Sequence, residues 1–115
     1  MKVSIKRVYE PASRSDGKRV LVDRIWPRGL TKEAASVDLW LKDVAPSTAL
    51  RKWFGHDPEK WQAFQDKYKA ELEGSSALAE LRSLARESRL TLVFAARDEA
   101  HNNAVVLKDI LEHSG

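Results

Sequence analysis

Arg89-Leu90-Thr91-Leu92-Val93-Phe94-Ala95-Ala96 is the stretch that decides the fold. Its near-continuous apolar run predicts a strand covered on both faces, the habit of a central strand in a parallel sheet. The chain turns polar immediately afterwards, at Arg97-Asp98. Asp98 stands where it can cap a helix whose Ala100, Ala104, Leu107 and Leu111 form one stripe. A buried strand running straight into a helix is half of a β–α unit, and this predicts an α/β domain.

Two earlier segments supply further strands. Lys2 to Val8 alternates, with Val3, Ile5 and Arg7 on one face, and Arg19 to Asp23 carries the apolar run Val20-Leu21-Val22. Between them, Glu10 to Lys18 is a polar connection ending in the turn signal Asp16-Gly17. Thr31 to Lys42 is ambiguous, but the alternation of Val37, Leu39 and Leu41 allows a short strand with Trp40 facing the other way.

The middle of the chain is helical by its caps and periodicity. Ser47 after Pro46 predicts a helix with Leu50, Trp53 and Phe54 on one face and Gly55 as its stop. Asp57-Pro58 opens a second, on which Trp61, Phe64, Tyr68 and Leu72 recur at offsets of three and four until Gly74. Ser76 caps a third, with Leu78, Leu81 and Leu84 or Ala85 inward. The expected architecture is one compact α/β domain over residues 1–115, with a small, mostly parallel sheet flanked by helices.

Composition narrows the function classes. The 115 residues hold 43% hydrophobic and 32% charged side chains, a globular balance rather than a disordered one. The absence of cysteine removes disulfide frameworks, zinc ribbons and thiol nucleophiles. With no signal-peptide pattern and no apolar run near the ~20 residues that span a bilayer, the expectation is a cytoplasmic protein without a membrane partner. A net charge of +3 suits nucleic-acid binders and enzymes of anionic metabolites alike. No P-loop, dinucleotide fingerprint, nucleophile elbow or paired-histidine zinc motif is present.

The chemistry concentrates after the second strand, in Asp23-Arg24-Ile25-Trp26-Pro27-Arg28-Gly29-Leu30. A carboxylate, two guanidiniums, an indole, a proline and a glycine in one short loop suit the rim of a ligand cleft at a strand end. Arg24 and Arg28 can form a fork for phosphate or carboxylate; alternatively Asp23 and Arg24 are a structural ion pair and Arg28 is solvated. Trp26 either stacks on a ligand or packs under its own loop. Trp53 and Trp61 fall in stripes and are expected to pack in the core or against a partner.

Ligands of open α/β sheets bind beyond the carboxyl ends of the strands. If the strands ending at Asp23-Arg24 and Arg97-Asp98 are parallel neighbours, these four side chains crowd one edge. Lys42, Ser47 and Arg51 surround Ala45-Pro46, and a helix start at Ser47 offers an intrinsic anion site beside its capping role. Asp98 can serve as general base, metal ligand, partner for Arg24, or simply a cap. His56 and His101 are acid–base candidates, but neither shows metal-ligand spacing, so no metal site is expected.

Three of these stretches also carry a resemblance. Val22 to Leu30, Ala45-Pro46-Ser47 with Leu50-Arg51-Lys52-Trp53-Phe54, and Asp98 with Asn102-Asn103-Ala104 resemble the YeaO-like family, a bacterial domain of unknown function (domain-of-unknown-function 488). The resemblance covers nearly the whole chain. It implies a compact cytoplasmic α/β domain in which Asp23, Arg24, Trp26, Arg28, Pro46, Ser47, Trp53 and Asp98 are the positions of interest. It brings no reaction and no cofactor with it.

The residues themselves point to a cleft for an anionic small molecule, a nucleotide or other phosphorylated compound. Arg24, Arg28 and Arg51 would hold the anion with the Ser47 helix start assisting, Trp26 would form a wall, and Asp23 or Asp98 would be the acid–base group if the protein is an enzyme. Two other readings stand beside it. One is a nucleic-acid module using Arg24, Arg28, Lys32, Lys42, Arg51 and Lys52 as a basic face, though helix-turn-helix and aromatic-strand signals are lacking. The other is a protein-interaction domain with Trp53, Phe54 and Trp61 exposed as a patch. Oligomeric state is open.

Overall fold

The computed structural model describes residues 3–113. Strands β1 (Val3–Arg7), β2 (Lys18–Leu21), β3 (Leu39–Trp40) and β4 (Leu90–Phe94) form one sheet in the order β1-β4-β2-β3, with every pairing parallel. The helices are α1 (Lys32–Ala35), α2 (Thr48–Phe54), α3 (Trp61–Leu72), α4 (Ser76–Glu87) and α5 (Asn103–His113). The expected α/β class with a parallel sheet is what the chain adopts. The first strand was expected from Lys2, which lies outside the described residues.

β4 is central because its sequence leaves it no solvent-facing side, and all five of its residues are buried. Leu90, Leu92 and Phe94 point into the larger core with Val3, Val20 and Val22, beneath α2 to α5. Each such fully buried side chain contributes about 1.5–3 kcal/mol relative to exposure. Val93 points the other way, into a smaller cluster with Val8, Leu21 and Ala35. Period-two alternation within one apolar run thus feeds two cores.

The smaller face also holds a polar network. Arg19 is buried and donates to Asp16 (2.9 Å), Ala35 O (2.9 Å) and Ser36 O (3.1 Å), while Lys6 reaches Asp16 from β1 at 3.1 Å. Thr91 on β4 donates its hydroxyl to Asp16 O at 2.7 Å. The Asp16-Gly17 turn is a 3-10 turn over Arg14–Asp16 capped by Ser13. Gly17 has φ of 65°, and a Cβ there would lie 2.3 Å from Arg89 O, so only glycine fits.

Several helix ends differ from expectation. The Thr31–Lys42 stretch resolves into Thr31 capping α1, followed by the two-residue β3. Ser75, not Ser76, caps α4, its Oγ accepting from Leu78 N at 3.1 Å. Asp57 caps a 3-10 turn over Pro58–Lys60 that feeds α3. Asp98 does not cap α5: that helix starts later, with Asn102 Oδ1 accepting from Val105 N at 3.1 Å. Ala100 consequently lies outside the helix, exposed, and drops from the predicted stripe. Among the described residues no helix is long and apolar enough to cross a membrane.

The topology positions a crevice. After β2 the chain passes to α1 on the smaller face, whereas after β4 it passes to α5 on the larger face. Neighbouring parallel strands whose exits diverge to opposite faces leave a gap beyond their carboxyl ends.

Candidate functional site

That gap is a cleft of about 980 Å³, walled by the 23–28 loop, by Ala45-Pro46, by one side of α2, and by the segment from Ala95 to Asn103. β2 and β4 are parallel neighbours, and Asp23, Arg24, Arg97 and Asp98 do line one cavity. Of the residues singled out from sequence, Asp23, Arg24, Trp26, Arg28, Arg51 and Asp98 border it. Ser47 does not.

The loop after β2 is held by aromatic braces. Trp26 Nε1 donates to Leu30 O at 2.7 Å, closing the loop on itself, and its ring packs on the Val8–Leu21–Ala35–Val93 cluster. Trp40 meets Trp26 edge to face at 5.4 Å and donates Nε1 to Asp23 O at 2.7 Å. From β1's end, Tyr9 donates its hydroxyl to Arg28 O at 3.0 Å, with the Arg7 guanidinium over its ring. Trp26 therefore packs and supports, and contributes to the cleft as part of its wall. The two-residue β3 exists to deliver Trp40 to this position.

Asp23 sits on the cleft floor. Its Oδ2 accepts from Ala95 N at 2.8 Å, tying the end of β2 to the end of β4. Burial pushes its carboxyl above the usual 3.8, against the opposing pull of the Ala95 N–H, the Asn103 amide and the charges of Arg51 and His56. Beneath it, Tyr68 is fully buried and donates to Val44 O. Burial and the charges of Asp23 and Glu71 raise its pKa well above 10.0, so it stays neutral.

The cationic groups differ in how much of their bonding capacity the fold consumes. Arg24 donates to Ala45 O (3.2 Å) and Pro46 O (3.4 Å), pinning the loop to the start of α2. Among the described residues it pairs with no carboxylate, so the ion pair to Asp23 or Asp98 weighed above is not formed. Arg51 projects from α2, and its buried Nε has no hydrogen-bond partner. Arg28, Lys52 and Arg97 complete a lining of five cations against two carboxylates. His56 joins them from a left-handed backbone position (φ 56°), directly after Gly55 in the same conformation.

Asp98 is bound locally. It accepts from the N–H groups of Ala100 (2.9 Å) and His101 (3.0 Å), and its Oδ2 lies 2.9 Å from His101 Nδ1. The His101 side chain, followed by these N–H groups, holds its pKa below 3.8. His101 in turn stands edge-on to Trp61 at 5.2 Å. Asp98 thus fixes one face of an imidazole rather than facing Arg24.

The Ser47 helix start is already occupied. Ser47 Oγ accepts from Leu50 N, and both its N–H (2.9 Å to Oε1) and its hydroxyl donate to Glu71 of α3. A carboxylate of the same chain fills the anion position that the sequence offered to a ligand. The tryptophans also separate: Trp61 is packed against the core, Phe54 is buried, and only Trp53 is exposed, at 38%, flanked by Lys60 and Lys67. Trp53 therefore leaves the core stripe proposed for it, and no contiguous apolar patch forms from the three.

Some lining residues were not among the site candidates named from the sequence. Phe64 reaches the cleft only because α3 crosses behind α2, stacking on Phe54 at 4.3 Å. Asn103 arrives because α5 begins over the end of β2, where its amide donates to Val22 O at 2.9 Å. Tyr9 could have been found as the residue just beyond a third parallel strand end, at the same edge as Asp23 and Arg97.

These features define a small α/β protein with an all-parallel four-stranded sheet and, at its carboxyl edge, a largely apolar, aromatic-backed cleft bordered by charged side chains. A family model described as the inactive DUF488-N3 subclade matches residues 2–114, and the chain belongs to that YeaO-like DUF488 family. It is 49% identical over 110 residues to an uncharacterized protein of Mycobacterium tuberculosis, a match covering 96% of this chain and 93% of the relative. An uncharacterized protein of Mycobacterium bovis matches to the same extent. The uncharacterized protein YeaO of Escherichia coli is 42% identical over 112 residues, covering 96% of this chain and 97% of its own. No solved structure matches the chain significantly.

Proposed function

We propose that this protein binds an anionic small molecule, a nucleotide or another phosphorylated compound, in the cleft beyond β2 and β4, and binds it without transforming it. The observation that carries this reading is the charge of the cavity's lining, where Arg51 stands with four further cations against two carboxylates. The Arg51 guanidinium offers bidentate donors to a phosphate, which a lysine does not. Arg24 and Arg28 supply further guanidinium donors along the loop. Membership of a subclade described as inactive supports binding over turnover.

A second reading makes Asp23 an acid–base residue, and its raised pKa favours that reading. Asp98, held below the usual range, would then orient His101 rather than transfer a proton itself. Calorimetric titration with adenosine 5′-monophosphate, followed by recovery of the ligand, separates the two. Binding without conversion is expected, with affinity at least tenfold weaker in Arg51→Ala and no large change in that variant's Tm. Equal affinity in wild type and Arg51→Ala would overturn the anion cleft, and conversion of the ligand would establish the enzyme.

A further inference from the structure

Asp23 is one of two carboxylates in a cavity lined by five cations, yet it forms no ion pair among the described residues. Its Oδ2 accepts from Ala95 N at 2.8 Å, and the Asn103 amide stands close enough to favour its charged form. That amide has two N–H groups, one of which donates to Val22 O at 2.9 Å. A carboxylate can accept at about four lone-pair sites, so Asp23, which lines the cleft, keeps capacity for a further donor. A bare phosphate beside it would meet like charge at close range, which is unfavourable in a partly buried site.

A ligand resolves this conflict if it carries its anion toward the arginines and a hydroxyl toward Asp23. We infer that Asp23 is the specificity-determining residue of the cleft, accepting a hydrogen bond from a hydroxyl of the bound molecule. The ligand class is then the phosphoester of a polyol, which includes sugar phosphates and nucleotides, rather than a simple phosphate. This rests on the anion-cleft reading above and adds a second contact point to it. The cavity has room for such a molecule: about 980 Å³ lies at the upper end of small-molecule sites, commonly ~300–1,000 Å³. Its remaining walls, Phe54, Phe64, Pro27 and Pro46, offer apolar surface to the body of the ligand.

The test compares two probes, ribose 5-phosphate and methyl phosphate, on wild type and Asp23→Asn by calorimetric titration. Asparagine keeps an oxygen for the Ala95 N–H, so the strand ends stay tied, and a thermal melt of the unliganded variant checks this. Wild type is expected to bind ribose 5-phosphate about tenfold or more tightly than methyl phosphate, since a site built to bond a hydroxyl discriminates against its absence. In Asp23→Asn the sugar phosphate should lose that advantage while methyl phosphate binds equally well or better, the repulsive charge being gone. Equal affinity of the two probes for wild type, or equal weakening of both in the variant, would overturn the role of Asp23 while leaving the anion cleft standing. Failure of both probes to bind wild type at millimolar concentration would remove the anion cleft and this inference with it.

Discussion

β2 is bracketed by two aspartates seven positions apart, Asp16 before it and Asp23 after it, and the protein treats them in opposite ways. Asp16 is buried at the amino edge and saturated by Arg19, Lys6 and the Ser13 N–H. Burial alone would raise its pKa, but these donors outweigh burial and bring it below 3.8. Asp23, at the carboxyl edge, has a backbone N–H and no ion pair, and burial wins. One edge of the sheet spends its charges on holding the fold. The other leaves them facing a cavity.

The contrast breaks first at Asp16. Asp16→Ala strands the buried Arg19 guanidinium without its counter-charge and should cost about 3–5 kcal/mol in urea denaturation at neutral pH. Because the folded pKa of Asp16 lies below its unfolded value, its stabilisation is complete above pH 3.8 and is lost as pH falls through the folded value. The deficit of the variant should therefore shrink in acid. A cost below about 1 kcal/mol would mean that the amino-edge network does not hold the turn.

Gly17→Ala probes the same turn through backbone and space. Strain at a positive φ contributes about 1–3 kcal/mol, and the clash with Arg89 O adds to it, so a clear fall in Tm is expected. Ser47→Ala should cost about 1 kcal/mol of stability by loss of the cap. Adenosine 5′-monophosphate affinity should not change, because Glu71 rather than a ligand occupies that helix start. A Ser47→Ala variant that binds this nucleotide more weakly would return the helix start to the cleft.

The smallest effect, and the one of opposite sign, belongs to Asp23→Asn. A carboxyl whose folded pKa is raised stabilises the fold below its unfolded pKa, and loses that contribution as pH rises through the folded value. Once ionised, Asp23 is a buried charge, a burden that the neutral amide removes. The unliganded variant should melt slightly higher than wild type at pH 7, with the difference vanishing below pH 3.8. A lower melting temperature at pH 7 would place Asp23 with Asp16 as a structural carboxylate.

The sequence made the strands and the principal helices legible where local pattern and burial agree. Leu90 to Phe94 has no polar face to offer solvent, and Phe64, Tyr68 and Leu72 repeat on a helical period, so their burial follows from composition. The pattern misled at Trp53, whose indole lies on the stripe by spacing but at the rim of the helix face, with lysines over it. Caps were uncertain by a residue or more, because serine or aspartate can close several local turns at similar energy. At Asp98 the local turn won, and the helix waited for Asn102.

The amino-acid order alone determined that a carboxylate, two guanidiniums and an indole follow a buried strand, and that a second strand ends in Arg97-Asp98. It also determined the parallel α/β class, since runs so apolar need cover on both faces. Which charges meet was decided only by the tertiary structure. The pairing of β2 with β4 brought Ala95 N to Asp23; α3 brought Glu71 to Ser47; and α2 brought Arg51 to the cavity beside Asp23. The physical reason is that a side chain's charge state and bonding depend on burial and on partners distant in the chain, neither of which is encoded in its neighbours along the sequence.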